Sequence, residues 1–114
     1  MLERLTALRP STILRSLKAT LVVRNRIIHG EELFAEIVVW LLSEPLAGST
    51  HTYKYRLALV ARGECVLRYD NEAGKGDHRH ARGSEARYRF STLDKLFADF
   101  ERDIRRYLNE DSNP

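Results

Sequence analysis

Gly74-Lys75-Gly76-Asp77-His78-Arg79-His80 sets two imidazoles, one carboxylate and two cationic heads within seven positions. Imidazole has an ordinary pKa of about 6.5, so it both takes and gives protons near neutral pH. A pair of imidazoles can act as base and acid while neighbouring cations hold a charged oxygen. Cleavage of RNA asks for that combination: activation of a 2′-hydroxyl, protonation of a leaving oxygen, and neutralisation of the phosphorane. Along an extended segment His78 and His80 project to one side and Arg79 to the other. The run follows Arg68-Tyr69-Asp70-Asn71 at the end of a strand, and segments that emerge from rigid strands commonly bind and catalyse. A Walker-type phosphate loop is excluded, because Ser or Thr does not follow Lys75. The same composition also suits a solvated loop without chemistry.

The candidate catalytic group is therefore His78, His80, Asp77 and Lys75. Lys54, Arg56, Arg68, Asp70 and Arg79 form the candidate substrate-binding group. Asp70 or Asp77 would orient an imidazole, and the cations would hold phosphate. Asp70, Asp77, His78 and His80 are also metal-ligand types, but Arg68, Lys75 and Arg79 repel a bound cation. No metal and no cofactor is expected.

These residues need a sheet to position them. Lys18 to Ile28 is rich in β-branched and long side chains and reads as a strand, with a turn at His29-Gly30-Glu31-Glu32. Leu33 to Leu42 is apolar on both alternating sets apart from Glu36, which suits a strand covered on both faces. Ser43 to Thr50 contains Pro45 and Gly48 and reads as a loop. His51 to Val60 and Glu64 to Asp70 form a hairpin through a three-residue loop, Ala61-Arg62-Gly63, with Gly63 left-handed. That register pairs Leu59 with Cys65, Leu57 with Leu67 and Tyr55 with Tyr69 on one face, so Cys65 is expected in the core. The other face then holds Lys54, Arg56, Arg68 and Asp70. A two-residue loop would mix apolar and charged groups on both faces.

Asn71 to Ser84 is polar and reads as a loop, and Arg87 to Phe90 as a short strand. Ser91 can cap a helix in which Leu93, Leu96, Phe97, Phe100, Ile104, Tyr107 and Leu108 share one face. The expected fold class is α+β: an antiparallel β-sheet of about four to five strands covered by a C-terminal amphipathic helix. Residues 1–17 form an extension, 18–108 a single domain, and 109–114 a flexible tail.

The 114 residues fit one domain. Cys65, the sole cysteine, has no internal disulfide partner, which fits a reducing compartment. The longest apolar run, Ile37 to Leu42, is far shorter than the roughly 20 residues a membrane-spanning helix needs. A cytoplasmic location and no membrane partner are expected. Net charge is +3, with an excess of +5 in residues 1–29 and +2 in residues 61–90. The basic excess thus coincides with the histidine segment and could attract phosphates.

Tyr53-Lys54-Tyr55-Arg56-Leu57, Arg68-Tyr69-Asp70-Asn71-Glu72 and Gly74-Lys75-Gly76-Asp77-His78-Arg79-His80 resemble the TumE family of toxin–antitoxin proteins. Glu36-Ile37-Val38-Val39-Trp40, Tyr88-Arg89-Phe90 and the helix through Leu96, Asp99 and Phe100 support the likeness, which spans roughly residues 18–108. The resemblance implies a bacterial or archaeal toxin that slows growth. It also implies an antitoxin partner, usually a helix-turn-helix protein encoded next to it. Joined to the residues above, it leads to a metal-independent ribonuclease toxin with RNA as substrate. The alternative is a growth inhibitor that binds nucleic acid or protein without turnover, using the same cationic face for contacts only.

Overall fold

A computed structural model of the chain describes residues 18–112. Six strands follow one another as β1 (Ala19–Gly30), β2 (Leu33–Leu42), β3 (Tyr53–Ala61), β4 (Glu64–Glu72), β5 (Gly76–Ala81) and β6 (Ser84–Arg87), and one helix, α1 (Leu93–Ser112), completes the order. The strands lie in one sheet in chain order, each antiparallel to the next. The α+β class and the covering C-terminal helix stand, but the sheet has six strands, not four to five. The additional strand is β5, which lies inside the segment expected to be a loop. Its residues on both faces are polar, those on the helix side being paired with buried polar groups, so the apolar alternation that marks a strand is missing.

The helix supplies the second layer for one face only. Leu96, Phe100 and Ile104, at successive i, i+4 positions, pack on Ala35, Val39, Tyr55, Leu57, Leu59, Leu67 and Tyr69. Burying an aliphatic or aromatic side chain of this kind stabilises by about 1.5–3 kcal/mol. The N-cap is Thr92, one residue later than Ser91: its Oγ1 accepts from the Lys95 N–H at 3.1 Å. The helix runs on through Ser112, into the segment expected as a tail. The expected extension, 1–17, lies outside the described residues. Arg87 ends β6, and the chain from Tyr88 to Phe90 is not strand.

Among the described residues, strand β2 is covered on one face, not both. Val38 lies opposite Arg24 on one side and Arg56 on the other, which puts the even-numbered residues of β2 on the side without the helix. There the rings of Phe34 and Trp40 are roofed by cations. The Arg26 guanidinium sits 3.9 Å from the Phe34 ring centre and that of Arg24 5.8 Å from Trp40.

The β3–β4 hairpin turns on two residues. Arg62 and Gly63 both have positive φ, 51° and 79°, as do Arg82 and Gly83 at the β5–β6 turn, 53° and 80°. Two positive φ values in a two-residue turn match the twist of the flanking strands. The mixing of faces that such a turn threatens is undone by a bulge: Val60 pairs with Cys65 but Leu59 pairs with Leu67, leaving Val66 extra. The register is therefore Leu57 with Tyr69 and Arg56 with Asp70, two residues away from the expected one. An even shift keeps every side chain below the bulge on its expected face. Cys65, above the bulge, is exposed and not in the core.

A buried carboxylate on the helix fastens it to the sheet. Asp103 of α1 accepts from Arg79 Nε at 2.8 Å and from the Tyr69 hydroxyl at 2.5 Å. Burial alone would raise the Asp103 pKa, but the bonds from Arg79 and Tyr69 and the charges of Arg79 and Arg102 outweigh it and hold the carboxyl below its usual range. Burial acts in the same sense on Asp99, where Tyr88, Lys95 and Arg102 overcome it. Both depressed values stabilise the fold above the unfolded carboxylate pKa of about 3.9, and that stabilisation is lost as pH falls from there through the lower folded values. Urea unfolding followed across pH should show this acid loss. Asp103→Asn should flatten the slope and lower stability at neutral pH by about 1–3 kcal/mol.

Candidate functional site

The bare face of the sheet carries two polar rows. In the first, Arg56 lies opposite Asp70, Asp70 opposite His78, and His78 opposite Arg87. In the second, Ala58 lies opposite Arg68, Arg68 opposite His80, and His80 opposite Glu85. Directly opposed residues share a face, so five expected site residues, Arg56, Arg68, Asp70, His78 and His80, come together there.

Glu85 is the hub that sequence reasoning missed. Its Oε2 lies 3.3 Å from His80 Nε2, 3.9 Å from His78 Nε2 and 3.7 Å from Lys75 Nζ. The two Nε2 atoms are thus within about 7 Å of each other. Glu85 could be found from sequence only once β6 is recognised and paired with β5. Lys75, in the β4–β5 turn, also approaches Glu72 at 3.8 Å.

The two imidazoles differ in wiring. His78 Nδ1 lies 3.2 Å from the Gly76 carbonyl, which can only accept, so Nδ1 carries the hydrogen and a neutral His78 presents its lone pair at Nε2. Of the two, His80 Nε2 lies nearer the Glu85 carboxylate. Their side chains are 16% and 31% exposed, which leaves both reachable. Arg68 Nε lies 3.1 Å from Asp70 Oδ2, so this guanidinium is steered by its neighbour. Lys54 donates to the Asn71 carbonyl at 2.6 Å.

Asp77 and Arg79 point to the helix side, away from the imidazoles. Arg79 is engaged by Asp103 and donates to the Tyr69 hydroxyl at 3.1 Å. The Asp77 side chain is only 8% exposed. Its Oδ2 accepts from His51 Nε2 and from the Tyr55 hydroxyl, each at 2.7 Å, and its Oδ1 from Ser49 Oγ at 3.0 Å. His51 Nδ1 in turn accepts from the Tyr53 N–H at 3.1 Å, and its ring stacks on Phe90 at 3.9 Å. Both nitrogens of His51 are spent, which leaves it a structural group. Burial first, then the bond to and charge of Asp77, push the Tyr55 hydroxyl far above the usual tyrosine range, so it stays a donor.

Asn71 completes this anchor. It is fully buried, accepts from the Tyr55 N–H at 3.0 Å, and donates to the Tyr53 carbonyl at 2.7 Å and to Ser49 Oγ at 3.3 Å. Its amide extends the β3–β4 ladder past the last paired residues. The glycines of the histidine run serve the same junction. Gly76 has φ 79°, and a Cβ there would stand 2.9 Å from the Gly48 carbonyl oxygen. The run is thus a tight turn and a strand docked on the 43–52 loop, and its glycines do not cradle a phosphate.

Among the described residues, no cluster of three or more His, Cys, Asp or Glu is arranged to hold a metal ion. Nor is any described helix long and apolar enough to cross a membrane.

The model of one protein family, described as Toxin TumE, matches residues 4–108. The match begins inside the segment read as an extension from sequence. No curated protein and no solved structure matches the chain.

Asp77→Ala should cost about 2–4 kcal/mol in urea unfolding, because it strands buried donors of His51, Tyr55 and Ser49. His78→Ala and His80→Ala should each cost less than about 1 kcal/mol, since neither belongs to the core. Equal losses for the three variants would contradict the separation of anchor from face.

Proposed function

The chain belongs to the TumE family of toxins, and on that footing we propose that it slows growth by cleaving RNA on the bare sheet face. The observation that carries this reading is the convergence of His78 and His80 on Glu85, with Arg56, Arg68 and Arg87 in the flanking rows. His78 Nε2 takes the proton of a 2′-hydroxyl. The freed oxygen bonds to phosphorus, the bond from phosphorus to the 5′-oxygen breaks, and His80 supplies that oxygen with a proton. The products are a 2′,3′-cyclic phosphate and a 5′-hydroxyl. Arg56, Arg68 and Arg87 neutralise the phosphorane, and Lys75 extends the cationic rim. Asp70 positions Arg68, and Glu85 positions His80. Asp77 and Arg79 hold the scaffold, and Lys54 braces the end of the ladder. No step requires a metal.

A second reading, binding without turnover, draws on Glu85 itself. Its carboxylate lies against both imidazoles, so a substrate phosphate has to displace it. The face would then hold RNA through phosphate contacts alone. In either reading a cognate antitoxin restrains the toxin, and the resemblance favours a helix-turn-helix protein encoded alongside.

Purified protein incubated with a short single-stranded RNA separates the two. Cleavage should leave 2′,3′-cyclic phosphate ends, persist in a chelator, and follow a bell-shaped rate against pH. His78→Ala and His80→Ala should each lower the rate on the order of 10²–10⁴-fold while circular dichroism stays unchanged. Intact RNA under saturating protein would exclude the enzyme and leave the binder. In that case Arg56→Gln should reduce the slope of log affinity against log salt by about 0.7.

A further inference from the structure

Among the described residues, the sheet has one long edge without a partner strand. Strand β1 spans twelve residues, Ala19–Gly30, and all but Val23 are exposed. The opposite edge, β6, has four. A long edge with unpaired backbone groups is a template for another strand. Its apolar side chains are left in water, with Leu21 43%, Val22 47% and Ile28 67% exposed.

The two sides of this edge differ in chemistry. On the bare face, Arg24 and Arg26 stand two residues apart, their heads over Trp40 and Phe34, and neither forms an ion pair among the described residues. On the helix side, Val23 and Ile27 border an apolar groove of about 450 Å³ whose far wall is Phe97, Ile104 and Leu108. An added strand sends alternate side chains to the two sides. The one that fits has acidic residues at one parity and apolar residues at the other.

We propose that β1 receives an extended segment of the cognate antitoxin as a seventh strand, its acidic residues over Arg24 and Arg26 and its apolar residues at the groove. The inference rests on the toxin reading of the family. Charge separates this occupant from a second copy of the chain. A two-fold antiparallel pairing of β1 with itself, centred on Asn25, would set the arginines of the two copies against one another, and like charges directly opposite are destabilising. Four strand spacings, about 19 Å, separate β1 from β5, so the segment does not have to touch the imidazoles.

The test uses the full chain, alone and co-purified with the product of the adjacent gene. Hydrogen exchange of the Ala19–Gly30 amides should slow by about tenfold or more in the complex. Arg24→Glu with Arg26→Glu should weaken the complex on the order of 100-fold, with unchanged circular dichroism. Protection confined to β3–β5 or to α1, with β1 unchanged, would overturn the proposal. So would a free chain that sediments as a dimer with β1 already protected. If the adjacent product does not relieve toxicity, the toxin–antitoxin pairing fails and the occupant with it. If it relieves toxicity while β1 exchanges freely, this inference alone fails.

Discussion

Among the described residues one helix packs on a sheet of six strands, and the organisation of this part of the molecule follows from that shortage of covering layer. Side chains alternate across every strand, so the residues that meet Leu96, Phe100 and Ile104 form the core, and their neighbours face away from it. Among the described residues, the away-facing side has no second layer to bury it. It carries polar residues in cross-strand rows, and where rings occur, arginine heads cover them. The same shortage leaves β1 beyond the reach of the helix, with exposed apolar side chains and a groove beside them. The two candidate working surfaces are thus the parts of the sheet that one helix does not cover.

Much of this arrangement was legible because it is written in period-two alternation. The separation of Tyr55, Leu57, Leu67 and Tyr69 from Arg56, Arg68 and Asp70 follows from alternation alone and survives a register shift of two. What alternation does not reveal is a bulge. Val66 adds a residue within an apolar stretch, no composition change marks it, and Cys65 is carried out of the core as a result. Strand β5 was hidden for a different reason. Its residues are polar or charged on both faces, and a polar strand resembles a loop in composition. Once β5 is a strand, the projection of His78 and His80 to one side follows from geometry.

The histidine run therefore divides its labour by parity. Even positions face the bare side, where Glu85 gathers the two imidazoles. Odd positions face the helix side, where Asp77 ties His51, Tyr55 and Ser49 together and Arg79 ties the sheet to Asp103. The acidic residue nearest the imidazoles in sequence is for that reason not their partner in space. Glu85 takes that place from the next strand. Asn71 and His51 looked unremarkable in the sequence because their importance comes from burial with every polar atom paired, which only the folded chain displays. Such buried polar anchors set the loop from 43 to 52 against the start of β5 and fix the backbone from which His78 projects.

The central claim is that the bare face, with His78 and His80 at its centre, is where RNA lies. Photo-crosslinking to a short RNA carrying 4-thiouridine, followed by mapping of the crosslinked peptides, tests that claim without requiring turnover. Crosslinks are predicted on bare-face residues of β3, β4, β5 and β6, around Arg56, Arg68, His78, His80 and Arg87. Crosslinks concentrated on α1 or on the 43–52 loop, or none at saturating RNA, would contradict it.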